Sequence, residues 1–240
     1  VPIIIDPGMG LRPFLRCIRN TKPSALVGVS LIHWMRKFIP SPFRSVKKNV
    51  VVQSKHFLQE IRKIQPGAQI PPAHTLADEL AAIVFTSGST GTPKGVSYSH
   101  QVFAAQINHL REDFGIQRGE KDLATLPIFA LFNPGLGVTS VIPEMNPRKP
   151  AAADAQKLTD AIQEFEITTA FTSPVIGKKI ANSCDSRNIS LPKINRFFLA
   201  GAPAHPSLVK RLAQVIPNGS VIVPYGATEA LPVSYADHND

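Results

Sequence analysis

Residues Thr86–Gly95 read TSGSTGTPKG, a string of glycines and hydroxyl side chains with one proline and one lysine, directly after the apolar run Ala81–Phe85 (AAIVF). Glycines let backbone N–H groups converge on an anion, and hydroxyls and a lysine add donors, so the loop reads first as a phosphate binder. It is not a Walker A loop. That motif needs GxxxxGK[ST] opening a helix; counted from Gly88, Pro93 stands where glycine is required and Gly95 follows Lys94 in place of Ser or Thr. Gly95-Val96-Ser97-Tyr98 then alternates like a strand, and helical spacing begins only with Phe103, Ile107, Leu110 and Phe114, with Ser99 as a candidate N-cap. The loop therefore joins two short strands.

Outward from this loop the pattern alternates strands and helices, which predicts a layered α/β fold. Strands are expected at 1–5, 25–29, 50–53, 81–86, 96–99, 122–126, 168–172, 196–200 and 221–224. Helical spacing marks 12–19, 31–38, 55–64, 102–114, 155–165, 175–182 and 207–215. The stretch 65–74, QPGAQIPPAH, reads as a linker, and no internal repeat or low-complexity tract is present.

With 240 residues, 43% of them hydrophobic, the chain can bury a full core, roughly 70–75% of its unfolded surface. No apolar run approaches the ~18 residues of a membrane helix, and VPIIIDPGMG has neither the basic start nor the apolar centre of a signal peptide. Cys17 and Cys184 form no CxxC or disulfide framework, which fits a reducing cytoplasm. The seven histidines make no metal-ligand pattern. The net charge of +9 admits a nucleic-acid reading, but Arg36, Lys37, Arg44, Lys47 and Lys48 lie in a Pro/Ser-interrupted stretch without stacked aromatics and read as a solvated surface. GVSYS at 95–99 is not a nucleophile elbow, because Ser99 stands where GxSxG needs glycine.

TSGSTGTPKG resembles the signature loop of the AMP-binding, adenylate-forming enzymes, the superfamily of acyl-CoA synthetases, luciferases and nonribosomal adenylation domains. Pro224-Tyr225-Gly226-Ala227-Thr228-Glu229 is similar to the family's YGxTE element, and Ala200-Gly201-Ala202-Pro203 resembles the segment lining its adenine and acyl sites. The resemblance implies an ATP-dependent acid ligase whose residues 1–240 are a central part of the large domain, with the mobile C-terminal domain, its lysine and the ribose-binding aspartate lying outside. It implies a fatty acyl carboxylate and ATP as substrates, Mg²⁺ as cofactor, coenzyme A as one possible acceptor, and no nucleic acid.

The chemistry must bring a carboxylate against a triphosphate, so neutralising charge is the central difficulty. Thr86, Ser87, Ser89 and Thr90, with the amides around Gly88 and Gly91, are expected about the β- and γ-phosphates, and Lys94 adds a point charge. The resemblance makes Glu229 the Mg²⁺ ligand and Thr228 a donor to the α-phosphate. It also stacks Tyr225 on adenine beside Gly226 and leaves Gly201, Ala202 and Pro203 as room for base and acyl carbonyl. Read without it, Glu229 is equally a surface acid at a strand end. The acyl pocket is expected at Phe129, Ala130, Phe132 and Phe171, side chains that also suit a plain core. Ala130 stands where many relatives carry a histidine; LPIFALFNPGLG and DPGMG look more like the bacterial branch that includes β-lactone synthetases of olefin biosynthesis. That branch closes a β-hydroxy acyl-adenylate on its own hydroxyl. A non-catalytic nucleotide- or acyl-binding module is the competing reading.

Overall fold

The computed structural model describes residues 1–52, 54–64, 71, 73–86, 93–126 and 129–238, the side chains of Pro7 and Phe129 excepted. They fall into two compact units, Val1–Gln101 and Val102–Asp240. The stretch expected as a linker lies mostly outside the described residues, and the division comes later, within a helix.

In the first unit β1 (Ile3–Ile5) pairs parallel with β4 (Leu80–Thr86), which pairs antiparallel with β5 (Lys94–Ser99). Residues on both sides of 65–74 therefore share one sheet. α1 (Leu11–Thr21) turns Phe14 and Ile18 onto Phe43 and Val46, and stops where Lys22 takes a left-handed conformation ahead of Pro23. A two-stranded parallel pair, β2 (Ala25–Gly28) and β3 (Lys48–Val51), is linked through α2 (Ser30–Phe38). α3 (Lys55–Lys63) follows, its first turn capped by Ser54, which accepts from the Phe57 N–H at 3.0 Å.

α4 (His100–Glu112) begins at the end of the first unit and carries Phe103, Ile107 and Leu110 into the second. There the strands are β6 (Lys121–Ala124), β7 (Thr139–Val141), β8 (Thr169–Thr172), β9 (Arg196–Leu199), β10 (Ser220–Ala227) and β11 (Ala230–Asp237). The helices are α5 (Asn133–Leu136), α6 (Ala155–Glu164), α7 (Pro174–Arg187) and α8 (Pro206–Val215). The sheet order is β11-β10-β9-β8-β6-β7, parallel except for the antiparallel edge strand β11.

Both faces are covered, as a parallel sheet requires. Strand alternation sends Ala170, Phe197, Leu199 and Val221 to one face, where α6, α7 and α8 supply Leu158, Ile180 and Leu212. It sends Phe171, Phe198 and Ile222 to the other, against α4 and α5. β7 and β11 are absent from the expected strands. β7 is only three residues long, and Pro232 interrupts the pattern of β11. An edge strand tolerates that proline where the ladder is already broken: Leu231–Val233 face Gly226 across a bulge between the Tyr225–Ser234 and Ala227–Ala230 pairs.

Candidate functional site

The phosphate-loop reading is framed by its two strands. Thr86 ends β4 directly opposite Lys94, which opens β5, so the intervening loop closes an antiparallel pair as the alternation predicted. Ser87, Gly88, Ser89, Thr90 and Gly91 lie outside the described residues. Lys94 is exposed at the loop's mouth. Gly95 belongs to the strand, and a Cβ there would lie 3.1 Å from the Phe85 ring, so this glycine admits the aromatic.

In the second unit the sheet gathers the remaining segments at one edge. β6, β8, β9 and β10 are parallel, so their carboxyl ends coincide, and each leads into a segment singled out by sequence. β6 leads through Thr125 and Leu126 toward 129–132, β8 ends at Phe171-Thr172, β9 runs into Gly201-Ala202-Pro203, and β10 carries Tyr225–Ala227 into Thr228-Glu229. Carboxyl edges of parallel sheets are where α/β proteins bind ligands, because chain reversals there leave a crevice and helices begin there. α7 and α8 both start just past this edge, capped by Ser173 and by His205, whose ring accepts from the Ser207 N–H. Their amide ends add positive potential.

Two threonines that sequence reasoning did not single out fix the edge. Thr125 Oγ1 donates to the Phe171 carbonyl at 3.0 Å, and Thr172 Oγ1 donates to the Phe198 carbonyl at 3.2 Å, tying β6 to β8 and β8 to β9. Beyond it β10 pairs with β9 only through Ser220–Ile222, so the β10–β11 hairpin projects past the sheet. Thr228 and Glu229 form its two-residue tip, with Glu229 exposed, and Tyr225 is 72% exposed. Gly226 is demanded by close approach, since a Cβ would lie 2.7 Å from the Ala230 carbonyl oxygen. Gly201 is demanded by conformation, at φ +82°, and the space beside it is open. Ala202 and Pro203 are exposed with it.

Of the acyl-pocket residues, Phe132 and Phe171 line one small cavity of about 30 Å³ between the sheet and α4 and α5. Phe171 stacks on Phe198 with centroids 5.1 Å apart, and Phe132 meets Phe103 at 5.7 Å. Ala130 is half-buried in a short turn of 3₁₀ helix, Phe129–Leu131; the Phe129 side chain is not described. Asp122 and Asn133 line the same cavity. Asn133 Nδ2 donates to Asp122 Oδ2 at 2.9 Å, while Asp122 Oδ1 has no hydrogen-bond partner among the described residues. Burial pushes the Asp122 carboxyl up to about 6, against smaller downward pulls from the Asn133 amide and the Phe171 N–H. The only sequence signal for Asp122 was an acid on a strand face otherwise given to apolar residues.

Among the described residues no group of three or more His, Cys, Asp or Glu is placed to hold a metal, and no helix is long and apolar enough to cross a membrane. A hard divalent cation beside phosphates needs only one or two protein oxygens, and the exposed Glu229 carboxylate fits that demand.

Comparison with known proteins agrees with this layout. The olefin β-lactone synthetase of Xanthomonas campestris pv. campestris is 40% identical over 241 residues, covering 98% of this chain and 42% of that protein. The olefin β-lactone synthetase of Stenotrophomonas maltophilia is also 40% identical, with 99% and 43% covered. The chain thus spans under half the length of the curated relatives it matches. Among solved structures, the N-terminal domain of FACL13 from Mycobacterium tuberculosis superposes with a TM-score of 0.78 at 20% identity, covering 95% of this chain and 56% of that one. The long-chain-fatty-acid-CoA ligase FadD1 from Archaeoglobus fulgidus does so with 0.77 at 21%, covering 98% and 49%. The family model described as AMP-binding enzyme matches residues 1–240, and the chain belongs to that family of adenylate-forming α/β enzymes.

Proposed function

We propose that the whole protein activates a fatty or β-hydroxy fatty acid as its acyl-adenylate, using ATP with Mg²⁺, and that the substrate's own hydroxyl then displaces AMP to close a β-lactone. The observation that carries this reading is the common edge on which Phe171, Gly201–Pro203 and Tyr225–Glu229 emerge from adjacent parallel strands, together with relatives named as olefin β-lactone synthetases.

In this reading Lys94 places a mobile positive charge against the triphosphate, and the hydroxyls and amides of 86–91 take the remaining phosphate oxygens. Thr228 donates to the α-phosphate, whose charge grows as the carboxylate attacks. Tyr225 offers its exposed ring to adenine, and Gly201, Ala202 and Pro203 leave room for the base and the carbonyl. Glu229 is the magnesium ligand; the ion, when bound, would supply the charge neutralisation that the triphosphate needs. Phe132 and Phe171 hold the chain, and Phe129, Leu131 and Phe132 keep water from the mixed anhydride. An internal hydroxyl has a high effective concentration, so capture needs no second substrate. The buried, unpaired cysteines suit a cytoplasmic enzyme.

Transfer to coenzyme A is the second reading, favoured by the structural likeness to fatty-acid ligases. The test is product mass after incubating the whole protein with ATP, Mg²⁺ and a long-chain β-hydroxy acid. Lactone is the expected product; acyl-CoA from simple fatty acids with no lactone from the hydroxy acid would overturn it. Glu229→Gln should weaken the Mg²⁺ dependence of adenylation, and Lys94→Ala should chiefly raise the KM for ATP.

A further inference from the structure

The cavity lined by Phe132 and Phe171 has a polar floor that the adenylation reading does not use. Asp122 stands one side-chain row below Phe171 on the same face of the sheet, since Ala124 is level with Phe171 and Asp122 with Thr169. Two residues of strand put it roughly 6–7 Å beneath the carboxyl end of β6. Asp122 is 4% exposed, Oδ2 is taken by Asn133, and Oδ1 makes no hydrogen bond among the described residues, the Phe171 N–H being the smallest of the pulls on the carboxylate. Asn133 is itself anchored by Ser140 Oγ at 2.8 Å, and the Thr169 hydroxyl is spent on Glu120 at 3.0 Å. Neither is free to turn toward Oδ1. The rest of the cavity lining is mostly apolar, including Leu110, Phe114, Phe198 and Leu231.

A buried acceptor in the lining of a mostly apolar cavity that has space for water-sized groups is a seat for an O–H donor. We propose that Asp122 forms the floor of the acyl pocket: it sets the chain length the enzyme accepts and favours a chain whose far end carries a hydroxyl. This rests on the acyl-adenylating reading. With a chain too short to reach the floor, the seat holds water. An alkyl chain long enough to reach it must displace that water and leave the oxygen unpaired against a methyl group, whereas a terminal hydroxyl replaces the water's hydrogen bond. The strand period is what makes this a floor, because Asp122 shares its face with Ala124 rather than with the helices behind Leu123.

The whole protein is assayed for acid-dependent ATP–pyrophosphate exchange with straight-chain fatty acids of increasing length and with their ω-hydroxy counterparts. In the wild type kcat/KM should break at one length, and there the ω-hydroxy acid should exceed the alkyl acid by about tenfold or more, the value of a hydrogen bond to a charged acceptor. Asp122→Leu should abolish that preference and extend the alkyl acids accepted. Asp122→Asn, which preserves an acceptor for the Asn133 amide, should keep the break and retain a smaller hydroxyl preference, so a folding defect in the leucine variant does not settle the matter. A second readout is the ratio of ω-hydroxy to ω-oxo acid. An ω-oxo chain only accepts, so the ratio should fall as pH drops through about 6 and the carboxyl becomes a donor. No other titratable side chain lines the cavity among the described residues; Glu120, which accepts from the Thr169 hydroxyl, is held by Arg196. Identical length profiles and ratios in wild type and both variants would overturn the proposal, as would water staying in the seat with no chain-end preference. If the wild type exchanges pyrophosphate with no acid of any length, the adenylating reading itself fails.

Discussion

Gly226→Ala tests whether the hairpin tip is a positioned part of the site. A Cβ at this position meets the Ala230 carbonyl oxygen at 2.7 Å, Leu231 Cδ1 at 2.6 Å and Leu231 Cα at 3.1 Å. The leucine methyl can swing aside, but the oxygen and Cα belong to the facing strand's backbone. Restoring an ordinary contact of 3.4 Å at the oxygen requires the strands to part by about 0.7 Å. Ala230 follows directly on Thr228-Glu229, so the shift passes undiluted into the tip. Overpacking of this kind costs about 1–3 kcal/mol, but here it falls on an edge hairpin, so cooperative unfolding of the sheet should move by only a few degrees. Catalysis should suffer more, because a displacement near 1 Å in a positioning group costs on the order of 10²-fold. Gly119→Ala, in the turn before β6 and outside the proposed site, is the control. It imposes an unfavourable left-handed φ, about 1–2 kcal/mol, but meets no atom within 4 Å and pushes nothing aside. The assay is ATP–pyrophosphate exchange by the whole protein alongside thermal unfolding of each variant. Exchange by Gly226→Ala within about twofold of wild type, whatever its melting point, would refute the claim that the tip's placement matters.

Two further predictions concern stability. Arg196 donates to both Glu120 oxygens at 3.0 and 2.8 Å, with the two side chains only 15% and 11% exposed. Arg196→Met leaves a largely buried carboxylate without its counter-ion, with the Thr168 and Thr169 hydroxyls and the Gln117 N–H still donating to it, and should cost up to about 3–5 kcal/mol in urea unfolding, while adding Glu120→Gln should recover much of it; equal costs for single and double variants would dismiss the coupling. For Asp122 the folded-state pKa lies above its usual 3.8, at about 6, so the folded state binds that proton more tightly and its stabilising share is lost as pH rises from about 4 to 6. Asp122→Asn should therefore gain on the wild type by roughly 2–3 kcal/mol between pH 4 and pH 7, read as the difference between their stability–pH curves. Parallel curves would mean that Asp122 is solvated in solution.

What the sequence made legible follows from which forces are local. The strand–loop–strand frame of TSGSTGTPKG could be read because Gly95–Tyr98 alternates and Pro93 denies the helix; β5 then proved to start at Lys94 itself. β11 was hidden by Pro232, since proline argues against a strand unless its neighbour lacks a ladder partner, and the Gly226 bulge depends on residues far from Pro232 in the pairing order. The division at Gln101/Val102 was equally invisible, because α4 runs through it with unbroken helical spacing. Strand order is the largest gap. Nothing in Thr168–Thr172 or Arg196–Ala200 taken singly says that β8 lies between β6 and β9, yet that order is what brings Phe171 and Thr172 beside the strand that leads into Gly201.

The same sheet supplies two environments through its period-two geometry, and Asp122 is where that geometry departs from economy. Along β8, Thr172 spends its hydroxyl on a neighbouring carbonyl at the edge while Phe171, one residue earlier, stacks on Phe198 over the face. A polar rim and an apolar face thus come from consecutive residues of one strand, and in the proposed reading a carboxylate with an alkyl tail has matching polarity at its two ends. By that logic every deeper residue on the α4 face should be apolar. Asp122 is instead a carboxylate with one oxygen unpaired among the described residues, a cost that an apolar side chain at this position would not carry. Local rules are broken at a compensating gain elsewhere, and in the proposal made for Asp122, in the lining of the cavity with Phe132 and Phe171, that gain is discrimination among the chains that reach it.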